Sequence, residues 1–133
     1  MSEQNIETMR RFHEFFNNRD VDAFLELMHP DVELVPITAR LEGTVYRGYA
    51  EIRDWLRRFD EDWELFQTHP LEYRDLGDHV LILGTWDARA RTSGVTLDAQ
   101  PGAWVATLRD GKIARQETFT NREEALEAVG LRE

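Results

Sequence analysis

Apolar side chains at Ile6, Met9, Phe12 and Phe16 recur at helical spacing until Asn17-Asn18-Arg19 breaks the pattern, which predicts a first amphipathic helix. Asp20 offers a side-chain cap to a second helical stretch, in which Val21, Phe24, Leu25 and Met28 share a face and which is expected to end at His29-Pro30. Val32-Glu-Leu-Val-Pro36 alternates like a short strand, and Gly43-Thr-Val-Tyr-Arg-Gly48 reads as another. Tyr49, Ile52, Trp55, Leu56, Phe59 and Trp63 then trace a stripe opposite Glu51, Arg53, Asp54, Arg57 and Arg58, the mark of a third helix.

Beyond Trp63 the period becomes strand-like, and turn signals at Leu76-Gly-Asp78, Thr92-Ser-Gly94 and Arg109-Asp-Gly111 divide the chain into four consecutive antiparallel strands. Segments 64–76, 79–91 and 94–108 would each run to roughly 40 Å at about 3.3 Å per residue, long enough that they must curve. Pro70 and Pro101-Gly102 mark expected bulges or bends. Asn121-Arg-Glu-Glu124 fits a capping box before Ala125, Leu126 and Val129, and Gly130 ends a last short helix. The order of elements predicts an α+β fold, a curved antiparallel sheet covered on one face by helices.

The 133 residues, 41% of them apolar, suit a single domain over 1–133. Fourteen aromatic residues set the chain apart from acidic disordered sequences, and a net charge of -10 argues against nucleic acid as a partner. There is no Cys, which removes thiolate nucleophiles and Cys-ligated metals and favours a reducing compartment. With no long apolar run and no signal-peptide pattern at the N-terminus, the expectation is a soluble cytoplasmic protein with no membrane partner.

The run from His29-Pro-Asp-Val-Glu33 through Tyr46-Arg-Gly48, Asp75-Leu-Gly-Asp78, Ser93-Gly94, Leu108-Arg-Asp-Gly-Lys-Ile113 and Arg122-Glu-Glu-Ala-Leu-Glu-Ala-Val-Gly-Leu131 resembles the SnoaL-like branch of the nuclear transport factor 2-like, or ketosteroid isomerase-like, superfamily. The resemblance implies a conical α+β fold whose curved antiparallel sheet wraps over the N-terminal helices around an enclosed apolar pocket, and commonly a homodimer. It does not choose a function, because the fold hosts isomerases, cyclases, epoxide hydrolases, dehydratases and non-catalytic modules. The acidic and tyrosine positions of ketosteroid isomerases correspond to Val35, Phe12 and Ala103, none of which transfers a proton. The nearest equivalents of the limonene epoxide hydrolase Asp-Arg-Asp arrangement are Trp86, Gly84 and Thr118, with Asp87 and Glu117 one register step away.

Alternation decides which remaining candidates meet a pocket. Val80, Ile82, Gly84, Trp86, Ala88 and Ala90 form the expected inner face of their strand, which places Asp87 outside, in a cross-strand ladder with Arg115 and Glu117. Gln116, Thr118 and Thr120 then face inward as a polar strip. Glu33 is the candidate proton carrier: it shares a face with Val35, which the isomerase comparison makes the cavity face, and burial there would raise its pKa. Against this, Val32 and Leu34 are the apolar members of the same strand and would ordinarily point inward. The isomerase comparison also places Ala103 inward and Trp104 on the convex side, where an apolar patch would support dimerisation.

No two of His13, His29, His69 and His79 have helical ligand spacing, so no metal is expected. Ser2 and Ser93 are ill-placed for a triad, and no phosphate-cradling glycine pattern occurs, so no cofactor is expected. Most aromatics are core; Trp55 and Trp86 are the ones assigned to pocket walls, the latter flanked by the small Gly84 and Ala88. The candidate binding set is Phe12, Phe16, Val35, Tyr46, Trp55, Phe59, Trp86, Ala103, Gln116, Thr118 and Thr120. Two readings stay open: a protein that binds a small apolar molecule and acts on it by acid-base chemistry through Glu33, or a non-catalytic binding or dimerisation module.

Overall fold

The computed structural model describes residues 2–37 and 43–131. Helix α1 (Ser2–Asn18) buries Met9, Phe12, His13 and Phe16 along one side. It stops at Arg19, whose φ of 56° lies in the left-handed region, and Asp20 Oδ1 then accepts from the Ala23 amide to start α2 (Val21–Glu26). The second helix ends earlier than its apolar pattern predicts. Strand β1 (Met28–Val35) already includes His29 and Pro30, and the Ile113 amide donates to the Leu27 carbonyl at 2.9 Å. Pro30 disfavours helical geometry at the residue before it, and it lies where β1 shifts register between Met28 and Glu33, so no ladder bond is lost.

Strand β2 (Tyr46–Arg47) leads into α3 (Gly48–Asp62), which buries Ile52, Leu56 and Phe59. Four strands follow, β3 (Trp63–Asp75), β4 (His79–Ala90), β5 (Thr96–Arg109) and β6 (Lys112–Phe119), and then α4 (Arg122–Ala128). The expected cap is present at α4: Asn121 Oδ1 accepts from the Glu124 amide at 2.8 Å. At its other end the Leu131 amide reaches the Leu126 carbonyl across Gly130, whose φ of 77° completes a Schellman turn.

The six strands form one sheet in the order β2-β1-β6-β5-β4-β3, in which β1 and β6 run parallel and the other neighbours antiparallel. The sheet is curved and unclosed, and α1 and α3 lie across its inner face. The curve is produced by local register shifts. One falls at Pro70–Glu72 in β3, as expected; another lies between Trp86 and Ala88, opposite Gln100 and Leu97. The bend in β5 is therefore at Asp98–Ala99 rather than Pro101-Gly102, whose two residues pair in register with Thr85 and Gly84. The amide freed at Ala99, a residue with φ of 50°, is taken up by Asp87 Oδ1 at 2.7 Å.

Two apolar clusters sit on opposite faces. The larger, beneath α1 and α3, includes Val32, Leu34, Phe66, Val80, Ile82, Ala88, Trp104, Ala106, Leu108 and Ile113. The smaller joins Leu81, Leu83, Ala103, Val105 and Phe119 to Ala125 and Leu126 of α4. Among the described residues no helix is long and apolar enough to cross a membrane.

Candidate functional site

Between the helices and the inner face of the sheet lies an open-mouthed cavity of about 540 Å³, a volume that includes its solvent-filled mouth. Helix α1 contributes Phe12, His13 and Phe16; α3 contributes Trp55 and Phe59. The sheet supplies Leu34 from β1, Phe66 and Thr68 from β3, Trp86 from β4, Trp104 from β5, and Gln116 and Thr118 from β6. Pro36 and Ile37, just past β1, complete the described lining.

Aromatic packing holds the walls. Phe66 and Trp86 stack at 5.0 Å with their planes 11° apart, and Phe59 meets Phe66 edge-on at 4.8 Å. Trp55 lies 5.1 Å from Phe59 and stacks with Phe16 at 6.3 Å. Two paired glycines make this possible. At Gly84 a Cβ would stand 2.2 Å from the His69 carbonyl oxygen, and at Gly102 it would stand 2.9 Å from the rings of both Trp86 and Trp104. Small residues here let β4 pass close to β3 and leave room for two indoles beside Gly102.

The polar groups set into this apolar surface are few. His13 is 3% exposed and Gln116 1%. His13 Nδ1 lies 2.9 Å from Thr68 Oγ1, and its ring meets Trp104 edge-on at 4.9 Å. Burial lowers the His13 pKa to about 3, so the ring is neutral at physiological pH. Within the described structure His13 Nε2, Trp86 Nε1 and both ends of the Gln116 amide are buried with no hydrogen-bond partner. Buried polar groups are normally satisfied, and each that is not costs about 1–3 kcal/mol, so four such atoms on residues lining one cavity are unusual.

Of the residues the pattern singles out, Phe12, Phe16, Trp55, Phe59, Trp86, Gln116 and Thr118 come together on this cavity. The others do not. Glu33 lies on the opposite face, where Arg47 Nε donates to one carboxylate oxygen at 3.0 Å and Arg115 to the other at 2.6 Å. Those two guanidinium bonds hold its pKa below the usual carboxylate range, the reverse of what burial in a cavity would do. Val35, two residues beyond Glu33, pairs with Glu117, while Leu34 between them takes the lining position. Ala103 packs beneath α4 on the outer face and Trp104 points inward, so Trp104 supplies no outer apolar patch. Both departures are one-residue shifts, and with a side-chain period of two each shift exchanges the faces. Tyr46 is buried in the larger cluster beside Trp55, at 6.2 Å, without lining the cavity, and Thr120 is exposed past the end of β6.

The expected ladder of Asp87, Arg115 and Glu117 is divided, because β5 lies between β4 and β6. Arg115 pairs with Glu33 and, at 3.8 Å, with Glu117; Asp87 pairs instead with His69 at 2.8 Å. The Ala99 amide and His69 hold the Asp87 carboxyl below its ordinary pKa. No carboxylate is among the described residues that line the cavity, and no group of His, Asp and Glu among them is arranged to hold a metal. Beyond the expected set the lining also includes the polar His13 and Thr68 and the apolar Leu34, Pro36, Ile37, Phe66 and Trp104. His13 had a signal, since it falls four residues after Met9 and three before Phe16, on the apolar stripe of α1.

This curved sheet over helices, with an aromatic cavity between them, is the nuclear transport factor 2-like fold. The SnoaL-like domain family matches residues 9–116, and the chain belongs to that family. Its structure is similar to that of TerC co-crystallized with polyporic acid, with a TM-score of 0.79 and 29% identity over 89% of this chain and 92% of that one. It is also similar to a nuclear transport factor 2-like protein of unknown function from Burkholderia pseudomallei, with a TM-score of 0.80, 21% identity and 96% of both chains covered. A third likeness is to a protein of ketosteroid isomerase-like fold from Catenulispora acidiphila, in complex with trimethylamine; there the TM-score is 0.76 and identity 20%, over 95% of this chain and 94% of that one. No curated protein matches the chain.

Proposed function

We propose that this SnoaL-like protein binds a small, flat, largely apolar molecule in the cavity, with the polar end of that molecule held by His13 and Gln116. The observation that carries this reading is the coincidence of one aromatic cavity with four buried polar atoms that have no hydrogen-bond partner among the described residues. A ligand's own polar groups would satisfy them, and its ring system would lie against Trp55, Phe66 and Trp86. TerC, at 29% identity, has been crystallized with polyporic acid, which makes that compound a suitable first probe.

Binding without proton transfer by Glu33, Asp87 or Glu117 is the version the geometry favours. Glu33 and Asp87 are engaged on the outer face, and Glu117 is adjacent to Arg115 there. A His13 ring that stays neutral down to about pH 3 accepts a hydrogen bond but is a weak base.

Trp55, Trp86 and Trp104 line the cavity, so intrinsic fluorescence reports its occupation directly. Titration with polyporic acid is expected to give saturable quenching, and His13→Leu combined with Gln116→Leu to weaken it at least tenfold with the fold retained by circular dichroism. Saturable binding that the double variant leaves unchanged, or no binding at all, would overturn the reading.

A further inference from the structure

The hydrogen-bond chain behind His13 determines which of its ring nitrogens carries the proton. Asn17, one turn beyond His13 on α1, brackets the backbone of Thr68: its Nδ2 donates to the Thr68 carbonyl at 2.9 Å, and its Oδ1 accepts from the Thr68 amide at 2.9 Å. A backbone amide only donates and a carbonyl only accepts, so the orientation of the Asn17 amide follows. Its Oδ1 also lies 3.1 Å from Thr68 Oγ1 and has no proton to give, so the hydroxyl donates to it. That leaves Thr68 Oγ1 only lone pairs toward His13 Nδ1, and Nδ1 carries the hydrogen. A neutral imidazole has one N–H. His13 Nε2 is therefore a bare acceptor, and within the described structure nothing donates to it.

The other unpartnered atoms complete the pattern. Trp86 Nε1 is a donor only, and the Gln116 amide presents one donor group and one acceptor. The complement of this set is a ligand with a hydroxyl proton to give and a carbonyl-type oxygen to receive. We propose that the cavity selects molecules carrying a neutral phenolic or enolic hydroxyl together with a carbonyl oxygen, and that Asn17 and Thr68 are positioning residues that impose this choice by holding His13 as the Nδ1–H tautomer. The proposal rests on the reading that the cavity binds a small apolar molecule. A methyl ether leaves Nε2 unpaired and is rejected for that reason, as sites built around a hydroxyl reject analogues that lack it.

Two measurements test it. The first needs no ligand: long-range ¹H–¹⁵N correlation of the His13 ring is expected to show Nδ1 protonated and Nε2 bare. A proton on Nε2 in the wild type overturns the proposal whether or not anything binds. The second compares 4-hydroxyacetophenone with 4-methoxyacetophenone by Trp fluorescence at pH 6.5. The wild type is expected to prefer the hydroxy compound by about tenfold or more. Thr68→Val, which keeps the side-chain shape and the backbone bracket but offers Nδ1–H no acceptor, is expected to bring that preference within about threefold and to release the tautomer; Thr68→Ser is expected to restore both. Equal binding of the two probes by the wild type defeats the selectivity while leaving the cavity reading intact. A preference that survives Thr68→Val with the tautomer changed defeats the relay. Binding of neither probe removes the cavity reading and this proposal with it.

Discussion

On the outer face of the sheet Glu33 lies between two guanidinium groups and Asp87 between a histidine and a backbone amide, whereas on the inner face His13 Nε2 and the Gln116 amide have no hydrogen-bond partner among the described residues. The outer groups are charged, partly exposed and partnered; the inner ones are neutral, buried and incomplete. Charge that finds its partner on the surface contributes little and needs no function to explain it. A neutral polar atom left bare inside costs stability, and its persistence points to something that completes it. The site is thus marked by unmet hydrogen-bonding capacity and not by its ionisable residues.

The contrast is sharpest in acid, where the two faces lose stability over different ranges. His13 is neutral in the fold down to about pH 3 but titrates near 6.5 when unfolded, so the unfolded chain binds the extra proton between those values. Stability then falls as pH falls, by at most about 1.4 kcal/mol per unit and roughly 4 kcal/mol across the whole interval. Glu33 and Asp87 have lowered native pKa values, so their contribution is present above their ordinary carboxylate values and is lost only below them. Urea melts between pH 7 and 5 are expected to show a decline in the wild type that His13→Leu removes. An equal decline in both would erase the distinction between the faces.

Gly84→Ala is the next largest effect expected. Its Cβ would meet the backbone of His69 and Pro70, which cannot swing aside, at a cost of about 3 kcal/mol in thermal or urea unfolding. Gly102→Ala meets only indole rings, so about 1 kcal/mol is expected, with a shifted Trp emission and weakened binding of polyporic acid. Glu33→Gln should change least: about 0.5 kcal/mol in stability and no change in ligand affinity, since its carboxylate is on the far side of the sheet. A tenfold loss of binding in Glu33→Gln would return that residue to the site.

Much of the architecture was legible from periodicity. The strong alternation of β4 placed Trp86 inward and Asp87 outward, and that of β6 placed Gln116 and Thr118 inward with Arg115 and Glu117 behind them. Strand β1 was harder to assign, because the isomerase comparison and its own apolar residues pointed opposite ways, and Val32 and Leu34 proved to be the inner pair. Strand β5 is apolar on both faces, Trp104 and Ala106 toward the helices and Ala103 and Val105 toward α4, so alternation alone had no polar side to orient it.

The sequence by itself determined the order of the elements, the curvature of the sheet and an aromatic interior without cysteine or membrane-length helix, because these follow from patterns spanning a few neighbouring residues. Only the tertiary structure decided that His13 is buried with its Nε2 unpartnered among the described residues. Thr68, which its other ring nitrogen meets, lies on a strand 55 residues away, and it reaches both His13 and Asn17 only after α1 is laid across β3. A hydrogen bond has no periodicity along the chain, so its direction is settled by the partner that folding brings.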